Sequence, residues 1–151
     1  MYVDSDFAGC PRTRKGTGAG CLMLGGHCLK TWSVNQQVIA LSSGEAEHYG
    51  IVKGASNALG IKGMLSDIGV ESEVVVCTDS SAAKGIASRR GLGKVRHIEL
   101  CELWLQNHVS RGSIQIVKVG GDDNISDSLT KSPDAGRIAQ TLRHTNQTVV
   151  D

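Results

Sequence analysis

Apolar and polar positions change rhythm several times along this chain, and each change marks an element. Met1–Phe7, Gly18–Leu24 and Leu29–Val34 are short apolar-rich runs. They are separated by the turn signals Gly9-Cys10-Pro11-Arg12 and Gly25-Gly26, which predicts three strands in an antiparallel meander. Val38–Leu41 leads into a helix start: Ser42 is placed as N-cap and Glu45 follows three residues later, the pattern of a capping box. That helix is expected to run to about Asp67 and to stop at Gly69 as the C′ residue. Glu73–Thr78 carries Val74, Val75, Val76 and Cys77 in succession, as in a strand covered on both faces. Ser80–Ser88 reads as a short helix, Arg89–Lys94 as a basic loop, and Val95–Ser110 as a helix with Ile98, Cys101, Leu105 and Val109 on one stripe. Gly112 ends it, and Ser113–Val119 predicts a fifth strand. Asp122–Lys131 predicts a further helix, interrupted at Pro133 and followed by a weaker helical tail. The order β-β-β-α-β-α-α-β-α implies an α/β domain whose five-stranded mixed sheet is flanked by helices.

At 151 residues and 40% hydrophobic, the chain has enough apolar material for one core without a disulfide framework. Its five cysteines are odd in number and contain no CxxC pair, which favours reduced thiols in a reducing compartment over a cysteine-based zinc site. No apolar run is long enough to span a bilayer and no signal peptide is visible. The chain enters a strand directly after Met1, as a piece of a longer polypeptide would. Net charge is only +1, but its distribution is uneven. Phe7–Gly44 contains no acid yet holds Arg12, Arg14, Lys15 and Lys30. Ser80–Ile98 contains none either and holds Lys84, Arg89, Arg90, Lys94 and Arg96. Either stretch alone reads as a solvated loop; together they predict basic surfaces that attract polyanions.

Four acids fall at informative places. Asp4 lies in the first strand, Glu47 near the start of the long helix, Asp79 at the carboxyl end of the valine strand and Asp127 on the helix after the fifth strand. If the first and fourth strands are neighbours, Asp4 and Asp79 approach each other and the helix-borne acids close the group. Glu47 heads a stripe of small residues, Gly50, Gly54 and Ala58, that lets the helix come close to the sheet. Clustered carboxylates repel, and hard divalent cations with all-oxygen ligands, Mg²⁺ or Mn²⁺, relieve that repulsion. Each acid also has an ordinary role open to it: Asp79 as the cap of the helix at Ser80, Asp127 as the i+4 partner of Lys131, Glu47 in solvent. Asp4 is hardest to explain that way, because an isolated buried carboxylate is costly. Asp6 shares a strand face with Asp4 as an outer acid, and Glu45 is assigned to the cap.

These segments resemble the ribonuclease H domain of Ty1/copia-type retrotransposon Pol polyproteins. The resemblance rests on Tyr2-Val3-Asp4-Ser5-Asp6-Phe7-Ala8-Gly9, Ile39-Ala40-Leu41-Ser42-Ser43-Gly44-Glu45-Ala46-Glu47, Cys77-Thr78-Asp79-Ser80, Val95-Arg96-His97-Ile98-Glu99 and Asn124-Ile125-Ser126-Asp127-Ser128-Leu129-Thr130-Lys131, in the family's order. It implies a ribonuclease H-like fold over residues 1–131, with 132–151 as a C-terminal helical tail or extension. It also implies Asp4, Glu47, Asp79 and Asp127 as catalytic metal ligands for two Mg²⁺ ions (or Mn²⁺), and hydrolysis of the RNA strand of RNA–DNA hybrids during reverse transcription. No protein nucleophile is required. Gly9, Cys10, Ser42 and Ser43 are expected to contact the hybrid's minor groove, and Arg12, Arg14, Lys15, Arg89, Arg90 and Lys94 its phosphates. The implied partners are the hybrid, the reverse transcriptase and other domains of the same polyprotein, with no membrane. The implied setting is intracellular: cytoplasm, within virus-like particles. The alternative is a catalytically silent nucleic-acid-binding module of a decayed element.

The sequence departs from the pattern in three ways. The loop Gly120-Gly121-Asp122-Asp123 lacks the histidine that many ribonucleases H carry before the last acid, Phe7 stands where tryptophan is frequent, and no basic handle helix is evident. Other motifs point to less. His97, Cys101 and His108 have poor spacing for zinc and read as packing residues. Gly16-Thr17-Gly18-Ala19-Gly20 does not join a strand to a helix and reads as a tight strand rather than a dinucleotide loop. Asp4-Ser5-Asp6 lacks the nucleotide-binding domain that a sugar-transferase DxD requires.

Overall fold

The computed structural model describes residues 1–89 and 100–148. Its elements are β1 (Tyr2–Ser5), β2 (Thr17–Leu24), β3 (His27–Asn35), α1 (Ser43–Asp67), β4 (Val75–Thr78), α2 (Ser81–Ser88), α3 (Leu100–Ser110), β5 (Gln115–Lys118), a 3₁₀ turn (Gly121–Asp123), α4 (Asp127–Thr130) and α5 (Ala135–His144). The sheet order is β3-β2-β1-β4-β5. β1, β2 and β3 form the antiparallel meander, whereas β1–β4 and β4–β5 are parallel. β1 is therefore central, with β4 beside it, and their carboxyl ends open at the same edge of the sheet.

The long helix α1 forms for the reasons its ends suggest. Ser42 Oγ accepts the Glu45 N–H at 3.2 Å, and the Glu45 carboxylate accepts the Leu41 N–H at 3.0 Å and the Tyr49 hydroxyl at 2.8 Å. Glu45 thus reaches back one residue beyond the cap. At the other end Gly69 adopts φ +78°, with Val70 N–H donating to Leu65 O and Gly69 N–H to Ser66 O, a Schellman termination. Along its sheet-facing stripe, a Cβ on Gly50 would stand 2.7 Å from Ser5 Oγ, and one on Gly54 would run into Val3. These absences of a side chain let α1 lie directly on β1. The tight strand β2 uses the same device: Gly18 and Gly20 leave room for the indole of Trp32 on β3, over which Lys53 Nζ sits at 4.8 Å. The core on this side of the sheet gathers Val3, Leu22, Ile51, Ala55, Val76, Ala83, Leu105 and Ile114.

The structure differs from the sequence expectation in two elements. In β4, Val76 and Thr78 are fully buried but Val75 and Cys77 only half so, because the helices cover one face more completely than the other. The expected helix over Asp122–Lys131 is broken into the 3₁₀ turn and α4. The break lies at Asn124–Ser126, where buried Asn124 donates from Nδ2 to Val3 O at 2.9 Å and accepts the Ser126 N–H at 3.3 Å. A side chain engaged with the backbone of β1 holds its own residue out of helical conformation. Among the described residues no helix is long and apolar enough to cross a membrane.

Candidate active site

Asp4, Glu47 and Asp79 meet where β1, β4 and the first turns of α1 converge. One carboxylate oxygen from each lies within 4.8 Å of the others. Asp4 is 4% exposed; Glu47 and Asp79 are half-buried. The Thr130 hydroxyl of α4 donates to Asp4 Oδ2. Glu47 Oε2 is buried and lacks a hydrogen-bond partner. Burial pushes the Glu47 carboxyl up to about 8, with the charges of Asp4 and Asp79 adding to the shift. Burial also raises the Asp4 carboxyl; the Thr130 hydroxyl opposes this and the charges of Asp79 and Asp127 reinforce it. The ordinary role for Asp79 does not apply, because Ser80 caps α2 by accepting the Ala83 N–H at 3.1 Å.

Asp127 stands slightly apart. Its carboxylate pairs with Lys131 one turn on, as the i+4 reading expected, and faces the Arg137 guanidinium at 3.8 Å. It nevertheless shares with Asp79 the wall of a cavity of about 480 Å³, to which Gly121, Lys131 and Arg137 also contribute. Asp127 is thus beside the three-acid group without belonging to it. Asp6 takes another role than the one expected. Its carboxylate accepts the Thr17 N–H, and Cβ atoms on Gly9 or Gly16 would collide with Asp6, so it organises the turn between β1 and β2 instead of lining the site.

The expected nucleic-acid contacts divide into four groups. Arg12 and Arg14 are exposed and Lys15 half-buried on a compact loop, in which Cys10 N–H donates to Lys15 O and Arg14 N–H to Cys10 O. The Cys10 amide is therefore engaged within the loop, while exposed Gly9 precedes it. Ser42 and Ser43 are exposed at the α1 start, although the Ser42 hydroxyl is occupied as the cap. Arg89 is half-buried, and its charge acts on buried His48, whose imidazole is lowered to about 4, first by burial and then by Arg89. Arg90, Lys94 and His97, and with them the Val95–Glu99 motif, lie outside the described residues. His108 packs edge-on against Trp104 with ring centroids 4.7 Å apart.

Sequence reasoning missed three contributors. Thr130 was visible only as part of a motif, although its i+3 spacing from Asp127 places both on one face of α4. Asn124 was likewise visible only as part of that motif, and its role was not, since its partner is a backbone carbonyl 121 residues away. Arg137 lies past the matched motifs.

A divalent metal fits the three acids: the donors are all oxygens, the like charges lie close together, and one buried carboxylate oxygen has no protein partner. No family model matches the chain. Curated relatives do, among them three Pol polyproteins. It is 27% identical over 132 residues to "Retrovirus-related Pol polyprotein from transposon TNT 1-94" of Nicotiana tabacum, with 86% of this chain covered. It is 28% and 27% identical over 133 residues to the corresponding polyproteins of transposons RE2 and RE1 of Arabidopsis thaliana, again over 86%. The chain spans only about a tenth of each relative, 10%, 9% and 9% of their lengths. Among solved structures, "Crystal structure of LC11-RNase H1 in complex with RNA/DNA hybrid" superposes with a TM-score of 0.54 at 16% identity, covering 91% of this chain and 96% of that one. The chain has the ribonuclease H fold, and its sequence is similar to the Pol polyproteins of copia-type retrotransposons.

Proposed function

We propose that this domain hydrolyses the RNA strand of RNA–DNA hybrids in a divalent-metal-dependent reaction, as the ribonuclease H segment of a retrotransposon polyprotein. The observation that carries the reading is the convergence of Asp4, Glu47 and Asp79, from three separate elements, around a buried Glu47 oxygen that no protein group satisfies. Fold and relatives supply the substrate class: the structural neighbour was captured with an RNA/DNA hybrid, and the relatives are Pol polyproteins.

Asp4, Glu47 and Asp79, with Asp127 at their side, would hold two Mg²⁺ or Mn²⁺ ions. When bound, such ions stabilise charge on the attacking and departing oxygens of a scissile phosphate. The protein's own groups orient and neutralise. Thr130 fixes the Asp4 carboxylate by its hydroxyl, and Asn124 anchors the segment bearing Asp127 to the backbone of β1. Arg12, Arg14 and Lys15 offer a basic loop for backbone phosphates, and the exposed start of α1 at Ser42 and Ser43 is available to the minor groove, where 2′-hydroxyls mark the RNA strand. In the intact polyprotein this activity would serve reverse transcription inside cytoplasmic virus-like particles, alongside the polymerase domain.

The test is cleavage of one RNA sequence presented as an RNA–DNA hybrid, as an RNA duplex and as a single strand, with Mg²⁺ and with chelator. Mg²⁺-dependent cutting confined to the hybrid is expected. Equal cutting of all three substrates, or undiminished cutting in chelator, contradicts the proposal.

A further inference from the structure

The C-terminal helix α5 lies past the sequence motifs that carry the resemblance, yet it is stitched to the loop carrying Asp127. Arg137 is the centre of that attachment. One guanidinium nitrogen donates to Asp122 O at 2.9 Å and to Gln140 Oε1 at 3.2 Å; the other donates to Gly121 O at 3.1 Å and Asn124 O at 3.4 Å. The same group stands 3.8 Å from Asp127 Oδ2. Arg137 is itself placed by the start of its helix, where Asp134 Oδ1 accepts its backbone N–H at 2.7 Å. Farther along, Thr141 Oγ1 contacts Ser128 Oγ at 3.0 Å, so α5 holds α4 as well. The loop needs such support: Gly120, Gly121, Asp122 and Asp123 are all exposed, and only Asn124 at their end is tied to the sheet.

We propose that Arg137 is a positioning residue for the candidate metal site, its guanidinium fork clamping the Gly121–Asn124 carbonyls so that Asp127 is presented next to Asp79. This rests on the metal-dependent reading of the carboxylate site. It gives the C-terminal tail a role in the site. A planar fork with several fixed donors makes these contacts and an ammonium does not, so charge alone is insufficient. The alternative is a purely electrostatic role, in which Arg137 would only compete with a cation for Asp127.

The two roles predict opposite results. Mn²⁺ binding to the 151-residue chain is measured by electron paramagnetic resonance for the wild type, Arg137→Gln, Arg137→Lys and, as a control on the same helix, exposed Arg143→Gln. Amide hydrogen exchange is followed in parallel. The proposal expects both Arg137 variants to weaken Mn²⁺ binding by about 10- to 100-fold, the usual effect of removing a group that orients a ligand. Exchange should quicken at residues 121–127, with β1 and α1 unchanged and Arg143→Gln behaving as wild type. Unchanged or tighter binding in Arg137→Gln, or wild-type binding in Arg137→Lys, overturns it. A wild-type chain that takes up no Mn²⁺ refutes the metal reading and the proposal built on it, whereas unaltered exchange at 121–127 refutes the role of Arg137 alone.

Discussion

Glu47 holds a carboxyl group where burial and two neighbouring acids all oppose its charge, and this has a consequence for stability without metal. Its folded pKa, about 8, lies above the ordinary carboxylate value near 4.5. Between those values the folded protein retains a proton that the unfolded chain releases, so stability falls as pH rises through that window and levels off above it. Thermal denaturation in chelator should therefore show a Tm that declines from about pH 4.5 to pH 8. Glu47→Gln should flatten the decline and raise Tm at pH 8; a flat wild-type profile would contradict the assignment. Thr130 gives a second prediction at this scale. Thr130→Val removes the hydroxyl from Asp4 and should lower hybrid cleavage about 10- to 100-fold, with Thr130→Ser close to wild type. Equal activity of the valine and serine variants would remove Thr130 from the site. Asp4 stood out in the sequence because an isolated carboxylate inside a strand is costly, and Glu47, Asp79 and Asp127 because their element positions were compatible with closing a group around it. Thr130 and Arg137 did not, because a hydroxyl or a guanidinium gains its meaning only from the groups it faces in space.

At the level of elements, α1 separates two uses of glycine. Gly54 lies where a Cβ would press into Val3, whereas Gly60 has open space around it. Gly54→Ala should cost about 1–3 kcal/mol through overpacking, and Gly60→Ala should stabilise by about 1 kcal/mol through helix propensity. Denaturant titration of the two variants reads both signs, and a destabilised Gly60→Ala would show that α1 is bounded differently. The ends of this helix were legible because their signals are local: a serine cap with a glutamate three residues on, and a glycine that takes a positive φ. The segment from Asp122 to Lys131 was misread as one helix because its interruption is caused by Asn124 reaching a strand at the other end of the chain. Such a contact leaves no periodic trace. The half-cover of β4 was missed for a similar reason, since four successive apolar residues do not reveal how much of each face the helices reach.

In the whole molecule, the sheet order places β1 against β4 and so gathers three dispersed acids, Asp4, Glu47 and Asp79, with Asp127 beside them. The meander followed by alternating elements made the fold class readable before the structure, whereas the adjacency of β1 and β4 entered the sequence reading only as a condition. The charge segregation matters at the same scale. With a basic loop on one side of an acidic site, affinity for a hybrid measured in Ca²⁺ should fall steeply with salt, and Arg12→Gln together with Arg14→Gln should make the slope shallower by about 2. An unchanged slope would place the phosphate contacts elsewhere.

The most direct test is Mg²⁺-dependent cleavage of a labelled hybrid by the wild type and by Asp79→Asn, with folding of both verified by circular dichroism. The account predicts products ending in a 3′-hydroxyl from the wild type, and a loss on the order of 10²-fold or more in the folded variant. Full activity in folded Asp79→Asn would contradict it.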